Sequence, residues 1–452
     1  MENTNSTMNL LDRFNRWFQE SVTIKLFSIG FLIFILMIPL SWVDDLIYER
    51  QARSGEVVTE ITSKWSGYQS ICGPVIVLPY KVTEVFKEKG KEPRVIEYVE
   101  KAFLLPEELN ISGKVKPKVL NRGIYEAAVY EAGLNVNASW IAPDLKSLDI
   151  DGKVMWNEAY LVFGISDLRG ISENPTVQYG EQILVTEPSS DLGFRYSGNM
   201  STGLIAKLNW DDDSNFNQPF SIQLNFKGSN GLDFIPVGKT TSVNVSGPWP
   251  SPSFNGEFLP TSRTITDADF TAEWKVLHFN RPFTQQWVED NKNLAGSDFG
   301  VELLIPVEQY QKSMRTSKYG ILIILLTFVS LFLVEISQRI KIHPFQYILM
   351  GAALIVYYTL LLSLSEQVGY NGSYLISSIA TAALLTLYSA SFLKSRKLVG
   401  LFSGVLLAFY GFIYVIIIQQ DFSLLTGSVG LFIVISALMY LTRKINWYRE
   451  AV

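Results

Sequence analysis

Two short stretches carry residue types that could hold a nucleotide or a metal, and each misses the spacing its chemistry needs. Gly238-Lys239-Thr240 ends like a phosphate-binding loop, in which backbone N–H groups cradle the phosphates and the lysine reaches the terminal ones. The preceding glycine is Gly231, leaving six intervening residues where four are required. Asp211, Asp213, Asn215 and Asn217 alternate like the start of a calcium loop. Position six is Phe216 where the sharp turn needs Gly, and position twelve is Ile222 where a bidentate Glu belongs. A solvated acidic loop is the expected outcome there.

The remaining reactive side chains are few and scattered. There are 2 histidines and 1 cysteine, and a transition-metal site needs three or four clustered ligands. His278 follows Phe270, Ala272, Trp274 and Val276 on one strand face, which predicts a residue at the edge of a core. His343 precedes Pro344, a residue suited to the first turn of a helix. Cys72 lies in the apolar run 71–78 and is expected to behave as a small buried hydrophobe. No H-E-x-x-H, G-x-S-x-G or C-x-x-C motif occurs. No catalytic, cofactor-binding or metal-ligating residue is assigned, and the expectation is a protein that is not an enzyme and carries no cofactor.

The elements around these residues are set by polarity. Six apolar runs are long enough to cross a bilayer: 26–43, 319–337, 345–365, 374–393, 398–418 and 422–442. The first has 18 residues, about 27 Å as a helix, against a hydrocarbon core of about 30 Å. Pro39-Leu40-Ser41-Trp42-Val43 closes it without a signal-peptidase site, so it is expected to stay as an anchor. Short-loop charge orients the spans. Arg13, Arg16 and Lys25 precede the first, Arg339 and Lys341 follow the second, and Lys394, Arg396 and Lys397 follow the fourth. Arg443, Lys444 and Arg449 follow the sixth, while the loops 366–373 and 419–421 carry no Lys or Arg. The positive-inside rule then places both termini, 1–25 and 443–452, in the cytoplasm and residues 44–318 outside it. None of the six span cores contains an ionisable residue, which argues against ion-coupled transport. Glu335, Glu366 and Asp421 sit at span ends and are expected to anchor there, Glu335 pairing with Arg339 four residues on.

The exported segment reads as mostly β after a helical lead-in over 44–68, where Val57, Ile61, Trp65 and Tyr68 form one apolar stripe. Phe220, Ile222, Leu224 and Phe226 alternate with Ser221, Gln223, Asn225 and Lys227, and Gly228-Ser229-Asn230-Gly231 predicts a hairpin turn before Leu232. Leu134–Trp140 and Phe270–Val276 alternate in the same way. The proline-rich stretch 247–260 predicts a rigid packed connection and not a central strand. Together these imply one or two antiparallel sandwich- or barrel-like units. A lone cysteine permits no intramolecular disulfide, so burial must hold this domain together. In the spans, Gly400, Gly404, Ala408 and Gly411, and Ser378, Ala382, Thr386 and Ala390, have the spacing that lets helices approach closely. The net charge of −5 comes without a basic stripe, which excludes a nucleic-acid partner.

Several stretches in order resemble the CreD family of bacterial inner-membrane proteins. They include Gly73-Pro74-Val75, Arg122-Gly123-Ile124-Tyr125-Glu126, Phe234-Ile235-Pro236-Val237-Gly238-Lys239 and Trp249-Pro250-Ser251-Pro252-Ser253-Phe254-Asn255-Gly256. Others are His343-Pro344-Phe345-Gln346-Tyr347 and Tyr440-Leu441-Thr442-Arg443-Lys444-Ile445-Asn446-Trp447-Tyr448. The resemblance implies one N-terminal span, a large periplasmic domain and a C-terminal bundle, with a link to envelope stress and two-component regulation. It implies no catalytic residues.

The leading expectation is a non-enzymatic inner-membrane protein that supports cell envelope integrity through its periplasmic domain, touching lipid, peptidoglycan or another envelope protein. Two alternatives stay open. One is lipid or small-molecule handling, as a flippase or carrier, along Ser377, Ser378, Thr381, Thr386 and Ser389. The other is an accessory role in two-component signalling.

Overall fold

The computed structural model describes residues 22–86, 94–143, 145–148, 150, 153–288, 291–305, 308–338, 340–393, 395–419 and 422–443. The chain divides into two compact units, a helical one within Met1–Ser54 and Val307–Val452 and a sheet-rich one within Gly55–Pro306.

Six helices are described: α1 Val22–Trp65, α2 Glu308–Lys318, α3 Gly320–Gln338, α4 Pro344–Ser389, α5 Arg396–Ile418 and α6 Ser423–Thr442. Four of them, α1, α3, α4 and α5, are long and apolar enough to cross a membrane, and the apolar stretch Leu425–Tyr440 of α6 is shorter. The six expected runs do not map one to one onto these helices. The first span and the helical lead-in are one helix, because 44–68 contains no residue that breaks helical geometry before Trp65. The runs 345–365 and 374–393 lie on two helical arms of α4 that meet at Gly369, with no eight-residue loop between them. Helical geometry fails there only at Gly369, with φ 73°, a left-handed conformation that costs glycine nothing. The two arms fold back on each other at this point. Tyr357 Oη and Ser378 Oγ are 3.4 Å apart, whereas 21 residues of straight helix would separate them by about 31 Å.

His343 caps α4, its Nδ1 accepting the Phe345 N–H at 3.2 Å, and Pro344 opens the first turn as expected. One small-residue stripe packs and the other does not. Ser378 and Ala382 are buried, while a Cβ added at Gly400, Gly404 or Gly411 would meet nothing within 4 Å among the described residues.

The strands that position the features below are β1 Gln69–Phe86, β2 Arg94–Leu104, β3 Glu108–Arg122, β4 Tyr125–Ser139, β5 Tyr160–Ile165, β6 Phe220–Ser229, β7 Gly231–Ile235, β8 Thr240–Gly247, β9 Phe270–Leu277 and β10 Phe299–Leu303. One sheet has eight strands, with β9, β8, β3, β4 and β6 as consecutive neighbours. A second has ten, with β10, β7, β1 and β5 consecutive and β2 also on β1, and Phe194–Arg195 and Lys292–Asn293 form a separate two-stranded pair. A single core joins them, in which Trp274 of β9 lies 5.6 Å from Phe299 of β10 between ring centroids. β1 is buried on both faces from Gln69 to Tyr80, so it reads as a continuous apolar run and not as an alternation.

Two features depart from the antiparallel expectation. β1 pairs with β7, and β3 with β8, in parallel. The stretch 220–235 is not a hairpin: β6 pairs with β4 in one sheet, while β7 pairs with β1 and β10 in the other. The glycines expected to make a tight turn instead let the chain cross between sheets. Side chains at Gly228 and Gly231 would run into Tyr130 and Tyr68 respectively, and Asn230 takes φ 64° at the corner. In the proline-rich stretch, Pro252–Gly256 pairs only with β10 at the end of its sheet, where a missing donor does no harm.

Candidate functional site

The outward face of the eight-stranded sheet carries an ordered array of uncharged polar side chains. It arises because four strands repeat one pattern, Asn110-x-Ser112, Asn135-x-Asn137, Ser221-x-Gln223 and Ser242-x-Asn244, with buried residues between. The strand registers bring these patterns into two rows across β8, β3, β4 and β6. One row is Asn244, Ser112, Asn135, Gln223, and the next is Ser242, Asn110, Asn137, Ser221. Within a row, neighbours stand about 4.8 Å apart, the spacing of adjacent strands.

The face is hollowed. A cavity of about 730 Å³ spans Ser112, Asn135, Gln223 and Asn244, and one of about 440 Å³ adjoins it over Asn110, Asn137 and Ser242. Both are lined by Ser112 and Asn244. Charges border the array in both signs: Lys114, Lys116, Glu131 and Glu173 on one side, Glu273 and Lys275 on the other. Two of the acids are already engaged: Glu131 pairs with Lys118 at 2.9 Å, and Glu273 accepts from Asn244 Nδ2 at 2.9 Å. Asn110, Ser112, Asn135, Asn137, Gln223 and Ser242 have no side-chain hydrogen bond to another described residue.

A second polar cluster lies within the sheet unit. Tyr68 Oη donates to Asp233 Oδ1 at 2.8 Å and accepts from Asn255 Nδ2 at 3.0 Å. Burial pushes the Asp233 carboxyl up to about 7, with Asp298 and Glu302 adding like charge and the Tyr68 hydrogen bond opposing them. Asp167 behaves oppositely. The Arg169 guanidinium and the N–H groups of Gly67 and Arg169 hold its carboxyl down at about 2. These contacts tie the residues just after α1, Gly67 and Tyr68, to the sheets.

The residues singled out by type are dispersed over the sheet unit. Cys72 is fully buried in β1, where desolvation raises its thiol far above the usual range. His278 sits half-buried just past the end of β9, its ring tilted 38° to that of Phe279 with centroids 3.9 Å apart. Lys239 of the apparent phosphate loop pairs with Glu107 at 2.7 Å. Asp212 caps the turn Asp213–Asn217 through the Ser214 N–H, and Phe216 is buried where a calcium loop would need Gly.

Glu335 and Glu366, expected as exposed anchors at span ends, are buried. Glu335 is 4% exposed and accepts from Lys25 Nζ at 2.6 Å, Tyr347 Oη at 3.0 Å and the Ile342 N–H at 3.2 Å. Its expected partner Arg339, like Asp421, lies outside the described residues. The Glu366 side chain, 5% exposed, meets Arg50 Nη2 at 3.3 Å and the Tyr310 hydroxyl at 3.1 Å. Burial demands such partners, because an unpaired carboxylate there would keep its full desolvation penalty. The polar face imagined beside the second arm of α4 is interior: Ser377, Ser378, Thr381 and Ser389 are buried.

Sequence reasoning missed the array because it read each strand for its apolar half. The recurring pairs of Asn, Ser or Gln two residues apart were a visible signal, but the registers that align them were not.

A family described as "Inner membrane protein CreD" matches residues 21–448. The protein of that name from Escherichia coli (strain K12) is 29% identical over 430 residues, covering 94% of this chain and 93% of the relative. Among solved structures, an M1 zinc metallopeptidase from Deinococcus radiodurans is 12% identical and covers 38% of each chain, with a TM-score of 0.18. A Legionella pneumophila protein described as nutrient binding covers 48% of this chain and 82% of its own at a TM-score of 0.22 and 9% identity. Scores this low show no shared fold.

Proposed function

The chain belongs to the CreD family of inner membrane proteins, and from that premise we propose that it is a non-enzymatic protein maintaining the cell envelope. In this reading both termini are cytoplasmic and the sheet unit works in the periplasm. The eleven short-loop basic residues support the orientation. α4 crosses the membrane twice, its 46 residues giving about 69 Å of helix for a core of about 30 Å. With α1, α3, α5 and α6 this makes six crossings.

The observation that carries the reading is the hollowed face of Asn, Ser and Gln on the sheet unit, a recognition surface without a nucleophile and base placed to react. Such a surface can hold an envelope component against the membrane. A deletion strain tests it: greater sensitivity to detergent and to cell-wall-active drugs, reversed by the full chain, is expected. Unchanged sensitivity together with unchanged membrane leakage would refute it.

A further inference from the structure

We propose that the array across β8, β3, β4 and β6 binds an extended, uncharged, N-acetylated polysaccharide lying perpendicular to the strands. The inference rests on the envelope reading and names the ligand class of its site.

Three observations lead there. Asparagine is a poor strand former, depleted from sheets in favour of β-branched and aromatic residues. Here Asn110, Asn135, Asn137 and Asn244 occupy interior strands of the sheet and not its protected edges, and Asn110, Asn135 and Asn137 make no side-chain hydrogen bond to another described residue. A solvated face needs no such residues. Second, each amide offers donors and an acceptor, and each serine hydroxyl offers both. That inventory matches acetamido and hydroxyl groups; Lys114 and Lys116 stand beside the two rows together with Glu131 and Glu173, so the border carries both signs and the rows themselves carry no charge. Third, one polar side chain per strand at about 4.8 Å is close to the length of one sugar ring. A polysaccharide crossing the strands would therefore present each successive ring to a fresh pair of side chains. The two adjoining hollows of about 730 and 440 Å³ leave room for several rings.

The test uses the full chain in lipid nanodiscs with the hexamer of N-acetylglucosamine as probe, titrated by calorimetry. Polygalacturonate serves as the charged comparison. Binding of the hexamer, no binding of polygalacturonate, and at least a tenfold loss of affinity in Asn135→Ala/Gln223→Ala are expected. Both substitutions are at exposed positions, and an unchanged melting curve will show that the variant folds. Lys207→Ala, on the other sheet, should bind like the parent. No hexamer binding, or binding that survives the double substitution, would overturn the inference. Such a result would leave the envelope reading to be judged by the deletion strain, which makes no use of a purified glycan.

Discussion

Lys25 Nζ lies 2.6 Å from Glu335 Oε1, joining the start of α1 to the end of α3 across 310 residues of sequence. The carboxylate is the buried partner and the ammonium the more exposed one, at 29%. Removing Glu335 leaves a lysine that can still reach water, whereas removing Lys25 strands a buried acid.

Lys25→Ala should therefore be the more damaging single change. Breaking a fully buried pair costs roughly 3–5 kcal/mol, and the partial exposure of Lys25 lowers the expectation to about 1–3 kcal/mol. Lys25→Ala/Glu335→Gln should cost less than the two single losses added together. Thermal unfolding of the four proteins in one detergent measures this, and strict additivity would show that the pair contributes nothing.

Asp233 makes the sheet unit sensitive to pH. Its folded carboxyl titrates near 7, above the value of about 3.9 for an unfolded aspartate, so the folded state holds its proton more tightly. The stability this supplies is complete below about pH 4 and is lost as pH rises through about 7. Asp233→Asn, which keeps the shape and cannot ionise, should flatten that decline. A wild-type unfolding midpoint independent of pH between 5 and 8 would contradict the assignment.

Asn230 turns the corner between the sheets with φ 64°. Asn230→Gly should be tolerated, and Asn230→Val should destabilise by about 1–2 kcal/mol, the cost of left-handed backbone for an ordinary residue. Chemical denaturation with an intrinsic fluorescence readout would register the difference, and equal midpoints would show the corner unstrained.

If the asparagines of the array are held there for binding, replacing one by a better strand former should raise stability. Asn135→Thr is expected to gain a few tenths of a kcal/mol, within a propensity scale that spans about 1 kcal/mol, while weakening the glycan. A destabilised Asn135→Thr would mean that the amide serves the fold.

What could be read in advance followed hydrophobic period and the length of apolar runs. The apolar runs became helices and the alternation around Phe220, Leu134 and Phe270 became strands, because both signals are local. The rest depends on contacts distant in sequence. Nothing near Glu335 points to Lys25, and nothing in Gly228-Ser229-Asn230-Gly231 tells a hairpin from a crossing, since both need left-handed or side-chain-free positions. Gly369 looked like part of a loop, yet one residue outside helical geometry is enough to reverse α4. The parallel pairing of β3 with β8 brings together residues more than 100 positions apart, such as Ser112 and Asn244, so the array could be seen only one strand at a time.

The central claim, that the polar face of the sheet unit serves the envelope, is tested most directly by complementation. The deletion strain carries either the parent, Asn135→Ala/Gln223→Ala or Lys207→Ala at matched membrane levels, and survival is scored on a cell-wall-active drug and on detergent. The account predicts that the parent and Lys207→Ala restore survival and that the double variant does not. Full restoration by the double variant would contradict it.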